Sequence, residues 1–258
     1  MFAVIIPVYN NLHQNPDYRV LINSWERYCK KYNIDFLLLE GEKNNTAEIC
    51  FDRWTDFTPK KSYKRILYVD GDTYVRKETP NLFEEFEKNN LRIVAIPDQG
   101  ESGDYHLNQW KNFNPNWDVM TLPYFNAGFI SFPIDLFLEF QKLIPKYKDY
   151  YFKNHDSKFH PVGVGVENGI RIDALDQTGV NICIQKEIGE LTLLQHELNY
   201  QPVNHNNPEL RINKQVYTVD NRKKLNNLDF LNEGYIFHFG SSTVNRTNIS
   251  KILDTQQI

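Results

Sequence analysis

The sequence predicts an α/β protein in which helices flank a mostly parallel central sheet. Apolar runs at 2–8, 34–39 and 66–69 have the length and composition of buried strands. Between the first two runs, apolar residues recur at spacings of three and four over 18–32, which is typical of an amphipathic helix. Strands that alternate with helices favour parallel pairing, because each crossover helix packs against a face of the sheet.

Length and composition set broad limits on the class of protein. The chain has 258 residues, 41% of them hydrophobic and 24% charged, which is ordinary for a globular protein with a large core. Its net charge of −4 provides no basic field for nucleic acid or an anionic membrane. Three cysteines without a CxxC pair favour a reducing compartment. The first apolar run is too short for a signal peptide or a transmembrane segment, so we expect one cytoplasmic domain over 1–258.

The remaining elements can be predicted in chain order. Asn15 and Pro16 suit the N-cap and the first turn of the helix that follows the first strand. Residues 98–124 contain Gly, Asn, Pro and Trp without a period, so we expect a long loop there, which in a compact domain is usually functional. By periodicity, helices are expected over about 47–57, 80–89, 134–147 and 170–182, and strands over about 92–96, 124–132 and 235–240.

The strand at 66–69 ends in the most informative motif of the chain, Asp70-Gly71-Asp72. Side chains of an extended chain alternate between faces, so Asp70 and Asp72 point the same way. Gly71 leaves space for a ligand to approach the backbone. Two converging carboxylates suit a hard divalent cation, which prefers oxygen ligands and keeps positions open for phosphate. A polar turn after a buried strand is the simpler interpretation of the same residues.

Further motifs occur along the chain in the order Phe125-Asn126-Ala127-Gly128, then Asp176-Gln177 with Asn181, then His238-Phe239-Gly240. Together with the Asp-Gly-Asp motif, this order resembles the GT-A nucleotide-sugar glycosyltransferases. It is most similar to glycosyltransferase family 8, the glycogenin and bacterial galactosyltransferase group. The resemblance spans residues 1–245 and implies a single Rossmann-like GT-A domain.

The resemblance also implies a cofactor and the residues around it. It places Mn²⁺ (or Mg²⁺) on Asp70, Asp72 and His238, with the donor diphosphate bound through the metal. The uracil and ribose of a UDP-sugar would contact the end of the first strand, at Pro7, Val8, Tyr9 and Asn10. Other donor contacts would come from Arg53, Gly71, Asp72, Asn126, Asp173 and Gly240.

Asp176 and Gln177 are the catalytic residues that the resemblance implies. A helix over 170–182 would put Asp173 and Asp176 on one face, three residues apart. A carboxylate or amide oxygen beside the anomeric carbon stabilises an oxocarbenium-like transition state or acts as a nucleophile. The implied reaction transfers a hexose from a UDP-sugar to a glycan or protein acceptor with retention of configuration. The identity of the acceptor, and the choice between monomer and homodimer, stay open.

The sequence departs from the family after His238. The family has His-x-x-Gly followed by a lysine that meets the diphosphate. Here the glycine comes two residues after His238 and the lysine is absent, with Arg246 as a candidate substitute. The opening residues 6–10 also resemble the inverting family 2 transferases, which share the GT-A fold, so an inverting transferase is an alternative.

Two other classes of function and several simpler interpretations are open. Asp70-Gly71-Asp72-Thr73 resembles the opening of the haloacid-dehalogenase phosphatase motif, but Tyr74 stands where that motif needs Thr or Val. A sugar-nucleotide-binding module without turnover is the non-enzymatic alternative. As structural residues, His238 would be a core strand histidine, Asp173 and Asp176 a solvated helix face, Asn126 a strand cap and Arg53 a solvated side chain.

Overall fold

The computed structural model describes residues 1–44, 46–97, 103–154, 165–167, 170–172, 176–194, 201–202, 209–212, 215–218 and 235–238. Its strands are β1 (Phe2–Pro7), β2 (Asp35–Leu39), β3 (Arg65–Val69), β4 (Thr73–Val75), β5 (Ile93–Pro97), β6 (Phe125–Pro133), β7 (Gly165–Glu167), β8 (Ile170–Ile172), β9 (Leu191–Leu193), β10 (Gln201–Pro202), β11 (Glu209–Ile212), β12 (Gln215–Thr218) and β13 (Ile236–His238). Its helices are α1 (Pro16–Tyr32), α2 (Thr46–Asp52), α3 (Leu82–Lys88), α4 (Gly103–Gln109), α5 (Ile134–Asn154) and α6 (Gln177–Cys183). The predicted α/β class is confirmed.

Six strands form the central sheet, in the order β2-β1-β3-β6-β5-β9. β1 pairs in parallel with β2 and β3, and β5 pairs in parallel with β9. β6 runs antiparallel to both of its neighbours, β3 and β5. The predicted mostly parallel sheet is therefore confirmed, with one reversed strand. A second sheet, β10-β13-β4, begins next to the carboxyl end of β3, because β4 follows β3 after a turn.

The alternation of side chains along β1 explains how both faces of the sheet are covered. Val4 and Ile6 belong to a core cluster that includes α1 and α3 residues. Ala3 and Ile5 belong to a second cluster, which includes residues of α2, α5 and α6. All four side chains are fully buried. Burial of an aliphatic side chain the size of valine or isoleucine contributes about 1.5–3 kcal/mol, so one six-residue strand anchors both layers of helices.

Helix α1 begins and ends as its sequence predicts. The Asn15 side chain accepts a hydrogen bond from the Asp17 backbone N–H (2.9 Å), and Pro16 occupies the first turn. The helix ends at Asn33, which adopts the left-handed conformation with φ 55°. Its buried face includes Trp25, which reaches the turn after β3.

Two predicted segments differ from the structure. The helix expected over about 47–57 ends at Asp52, and backbone turns continue from there to residue 56. The segment 98–124, predicted as a loop, contains α4. Across the described residues, no helix combines the length and the apolar composition needed to cross a bilayer.

The helix predicted over 170–182 is wrong at its start, over residues 170–172. Residues 170–172 form strand β8, and α6 begins only at Gln177. Asp176 is the residue that precedes α6, so it does not share a helix with Asp173, which lies outside the described residues. Ile170 and Ile172 alternate at period two, which is a strand pattern that the helical interpretation overlooked.

Candidate active site

The turn at 70–72 is held by elements on both sides of it. The Asp70 backbone N–H donates to the Gly128 carbonyl of β6 (2.9 Å). The Thr73 hydroxyl donates to the Asp70 carbonyl (2.6 Å) and accepts from the Trp25 indole of α1 (2.9 Å). These contacts place Asp70 and Asp72 at the carboxyl end of β3, the edge of a parallel sheet at which ligands usually bind.

Asp70, Asp72 and His238 form a cluster that we call the candidate cation site. Each residue offers one ligand atom, and these atoms lie within 4.8 Å of one another. β13 pairs antiparallel with β4, so that His238 lies opposite Thr73, and His238 Nε2 is 3.0 Å from Asp72 Oδ1. Carboxylates and imidazole are common ligands of divalent metal ions in proteins. The structure therefore brings the three predicted ligands together, although the last two of them are 166 positions apart in the chain.

Arg53 connects the candidate cation site to the predicted catalytic residue Asp176. Its Nη1 donates to Asp70 Oδ1 in an ion pair. Its Nη2 and Nε donate to Asp176 Oδ2 at 2.9 and 3.2 Å, and the Trp54 indole donates to the same oxygen at 2.6 Å. Arg53 is 7% exposed and Asp176 is 3% exposed. The interpretation of these two residues as solvated is therefore wrong.

The electrostatics of this cluster keep the guanidinium charged. Burial alone would lower the pKa of Arg53, but the carboxylates of Asp176 and Asp70 outweigh it and raise that pKa well above its ordinary value. Burial raises the pKa of Asp176, although Arg53 and the Trp54 indole act in the opposite direction. Arg53 is thus a permanent positive charge between two carboxyl groups that come from distant parts of the chain.

The backbone around Arg53 is fixed by neighbouring aromatic residues. The Tyr68 hydroxyl of β3 donates to the Arg53 carbonyl (3.0 Å). The Arg53 guanidinium carbon lies 4.7 Å from the centre of the Trp54 ring, within cation–π range. Trp54 and Tyr68 are both fully buried. Neither residue was predictable as part of the site, since nothing in the local sequence pattern distinguishes the two from core aromatics.

Amide side chains join the start of β6 to α6. Asn181 accepts from the Phe125 N–H (2.9 Å) and donates to the Phe125 carbonyl (2.8 Å). Gln177 accepts from the Ala127 N–H through Oε1 (3.2 Å). Asn126 accepts from the Gly128 N–H (2.6 Å), a local contact within β6. Gln177 and Asn126 therefore lie at the same end of β6, and their predicted contacts with a donor sugar stay predictions.

Residues Tyr9 and Asn10, with the loop 40–44, form what we call the base end, where the sequence predicts uracil and ribose contacts. Tyr9 is 5% exposed, and its hydroxyl donates to Asp56 Oδ2 (2.6 Å). Asn10 has φ 54°, and its amide both donates to the Lys43 carbonyl (3.1 Å) and accepts from the Lys43 N–H (2.8 Å). The side chains of both residues are therefore hydrogen-bonded to other segments of the chain, Tyr9 to Asp56 and Asn10 to Lys43.

Pro7 and Val8, the other two residues predicted to contact uracil and ribose, continue the pairing of β1 with β2 and lie next to the base end. Pro7 ends β1, and the Val8 N–H donates to the Leu39 carbonyl (2.8 Å). A cavity of about 340 Å³ is lined by the end of β2 and by Asp56, Phe57, Thr58, Lys60 and Tyr63.

The remaining predicted site residues are Gly71 and three residues near or beyond the later motifs. Gly71 lies in the turn between β3 and β4. Of the remaining predicted site residues, Asp173, Gly240 and Arg246 lie outside the described residues.

Comparisons with known proteins address the fold. No family model matches the chain, and no curated protein matches its sequence. The crystal structure of a glycosyltransferase involved in glycosylation of the major capsid of PBCV-1 matches with a TM-score of 0.54 at 13% identity, covering 97% of this chain and 99% of that chain. The chain has the fold of a glycosyltransferase. The apo structure of the bifunctional glycosyltransferase WbbM matches with a TM-score of 0.50 at 16% identity, over 100% of this chain and 52% of that chain. The predicted fold is confirmed, and membership of family 8 stays a prediction.

Proposed function

We propose that the chain is a metal-dependent glycosyltransferase that transfers a hexose from a UDP-sugar. The observation that carries the proposal is the candidate cation site, in which Asp70, Asp72 and His238 converge at the carboxyl end of β3. The glycosyltransferase fold supports it, because the site lies on the sheet edge at which such a fold binds ligands. The acceptor is a glycan or a protein.

The donor set of the candidate cation site fits Mn²⁺ or Mg²⁺. Asp70, Asp72 and His238 would hold the ion, and positions not filled by protein would accept diphosphate oxygens. A divalent cation bound there supplies Lewis-acid stabilisation of the leaving diphosphate, worth several kcal/mol. Arg53 adds a fixed positive charge beside Asp70, which orients the Asp70 carboxylate.

Asp176 and Gln177 are the proposed catalytic residues at the sugar end of the site. The three hydrogen bonds that Arg53 and Trp54 donate to Asp176 all end on Oδ2, so a contact with a donor sugar would use Oδ1. Asn126 lies at the same end of β6 as Gln177 and is the proposed ligand of sugar hydroxyls. This arrangement is compatible with a retaining reaction, and analysis of the product anomer would distinguish it from an inverting one.

A donor screen tests the proposal. The full chain is incubated with a panel of nucleotide sugars, with Mn²⁺ or with EDTA, and released nucleotide is measured. We expect Mn²⁺-dependent release of UDP from one UDP-sugar, since water slowly replaces the acceptor when no acceptor is present. Asp72→Asn should abolish the release, whereas Asp149→Asn, which changes an exposed carboxylate of α5, should not.

Two outcomes of the screen would contradict the proposed enzyme. Tight binding of a UDP-sugar without any turnover, with or without added acceptor glycans, would indicate the non-catalytic binding module. If no nucleotide sugar of the panel binds and no nucleotide is released, the chain has no nucleotide-sugar function and the proposal is wrong. Hydrolysis of a simple phosphomonoester at Asp70 would instead support the phosphatase interpretation.

A further inference from the structure

The two carboxylate oxygens of Asp70 have different neighbours. Oδ1 accepts from the buried Arg53 guanidinium, which also pairs with Asp176. Oδ2 lies against β6, next to Gly128. The Asp70 carboxylate is therefore fixed on one side by a permanent charge and borders the space beside Gly128 on the other, while the same residue belongs to the candidate cation site with Asp72 and His238.

Gly128 is fixed in position through its own backbone. Its N–H donates to Asn126 Oδ1 (2.6 Å), and its carbonyl accepts from the Asp70 N–H (2.9 Å). A Cβ atom at this position would lie 2.7 Å from Asp70 Oδ2 and 2.8 Å from Asn126 Oδ1. Both distances are shorter than Cβ atoms show in real proteins. The backbone at Gly128 is not in the left-handed region, so the site needs glycine for space alone.

We propose that Gly128 is a positioning residue for the candidate cation site, in a role that rests on the proposed function. Its missing side chain provides the space for Asp70 Oδ2, which lets the Asp70 carboxylate pair with Arg53 and keep its place in the candidate cation site. An added methyl group would have to move the Asp70 carboxylate or the Asn126 amide. Moving Asp70 would displace its carboxylate from Asp72 and His238, or would break the ion pair with Arg53.

The first test measures Mn²⁺ affinity without nucleotide, by calorimetry on the full chain. Gly128→Ala should weaken Mn²⁺ binding at least about tenfold, the lower end of the range for a disturbed metal-site partner. Gly179→Ala is the matched control, because a Cβ at that buried glycine would meet Trp110 and Tyr147 at 3.2 and 3.3 Å, away from the candidate cation site. The control should bind Mn²⁺ as the natural chain does. Equal Mn²⁺ affinity in Gly128→Ala and the natural chain would overturn the proposal.

A double-mutant cycle in thermal stability tests the same contact without metal. Gly128→Ala should lower the Tm of the natural chain, and it should lower the Tm of the Asp70→Ala variant by less than half as much. If the shift is equal in both backgrounds, the added methyl group does not act through Asp70 and the proposal is wrong. If the Gly128→Ala variant does not fold, the double variant with Asp70→Ala is tested for folding. A folded double variant supports the proposal, and an unfolded one contradicts it.

The two tests separate this inference from the proposed function. If the natural chain binds Mn²⁺ only together with UDP, Gly128→Ala is compared with it in the presence of UDP. A natural chain that binds Mn²⁺ neither alone nor with UDP contradicts the metal-dependent function, and with it the role of Gly128 toward a cation, even where the stability cycle shows the contact. A natural chain that binds Mn²⁺ while Gly128→Ala binds it equally well leaves the proposed function intact and removes only the inference.

Discussion

The candidate cation site and the base end lie at the same edge of the sheet, yet their polar groups are used in opposite ways. At the candidate cation site, the ligand atoms of Asp70, Asp72 and His238 face one another within 4.8 Å. At the base end, the Tyr9 hydroxyl and the Asn10 amide are bonded to other parts of the protein. Two carboxylates and an imidazole that converge on one place are the kind of group that holds a cation, whereas the amide and hydroxyl of the base end join segments of the protein to one another.

This comparison predicts different consequences for substitutions in the two regions. Changes at the candidate cation site should affect ligand binding with little loss of stability. Changes at the base end should affect stability first, and nucleotide binding only through the loop 40–44. Arg53, which lies beside the candidate cation site, is the exception, because its buried guanidinium pairs with both Asp70 and Asp176.

The largest effect is expected for Asp72→Ala. Loss of one of two carboxylate ligands should remove Mn²⁺-dependent UDP binding. We expect a change in Kd of at least about 100-fold, the upper end of the range for the loss of a residue that only supports a metal ligand. Calorimetry with UDP in the presence and absence of Mn²⁺ measures it, and circular dichroism checks the fold. Asp149→Ala, on the exposed face of α5, is the control. An unchanged Mn²⁺ dependence in Asp72→Ala would leave the cluster without a metal role.

Arg53→Met should cause the largest loss of stability. The substitution removes the charge that pairs with Asp70 and Asp176, so the buried Asp176 and the partly buried Asp70 lose their partner. Breaking a buried ion pair costs about 3–5 kcal/mol, which urea denaturation can measure. Arg92→Met is the control, because Arg92 forms its ion pair with Glu190 at the surface. Similar denaturation midpoints for both variants would mean that the Arg53 cluster contributes no more than an exposed pair.

The residues of the candidate cation site were predictable, two of them from a local pattern and the third from the family resemblance. The apolar run of β3 and the period-two placement of Asp70 and Asp72 follow from the sequence, and the resemblance supplied His238. The hydrogen bonds between Arg53 and Asp176 were not predictable, because they join residues 123 positions apart, one just after α2 and the other just before α6. The need for glycine at 128 likewise appears only when β6 is placed beside Asp70.

The failed prediction over 170–182 has a comparable cause. Apolar residues in this stretch fit the helical period and the strand period equally well over a short window. Ile170 and Ile172 are β-branched and alternate, and they pair with β7 as a hairpin strand. Only the second half, from Gln177, packs as a helix on α5 and β6. The pairing of β8 with β7, and the packing of α6 on α5 and β6, therefore give two different structures to a stretch that periodicity alone predicts as one helix.

At the base end, Asn10→Gly should have a moderate effect. Glycine accepts the φ of 54° at this position, so the change removes only the two hydrogen bonds to the Lys43 backbone. We expect a loss of about 1–2 kcal/mol in the free energy of unfolding. UDP affinity should fall by the same factor with and without Mn²⁺, unlike in Asp72→Ala. A loss confined to the Mn²⁺-containing titration would instead assign Asn10 to the candidate cation site.

The smallest effect concerns Asp52, which ties the base end to α5. Its carboxylate accepts from Lys43 (3.1 Å) and from Lys148, while Lys43 also pairs with Asp56 (2.9 Å). Burial alone would raise the pKa of Asp52, but the hydrogen bonds from Lys148 and Lys43 lower it below its ordinary value.

A folded-state pKa below the unfolded value means that Asp52 stabilises the fold above about pH 4, the unfolded pKa of an Asp, and loses this effect as the pH falls through the folded value. Asp52→Asn should therefore be less stable than the natural chain at about pH 7, by on the order of 1 kcal/mol or less for a partly exposed pair. That difference should shrink as the pH is lowered from about 5 to 3, the range in which an Asp titrates. Urea denaturation at each pH measures it, with Asp149→Asn as the exposed control. A difference that is constant with pH would show that Asp52 contributes by packing, and the ion pairs of the base end would then have no measurable role.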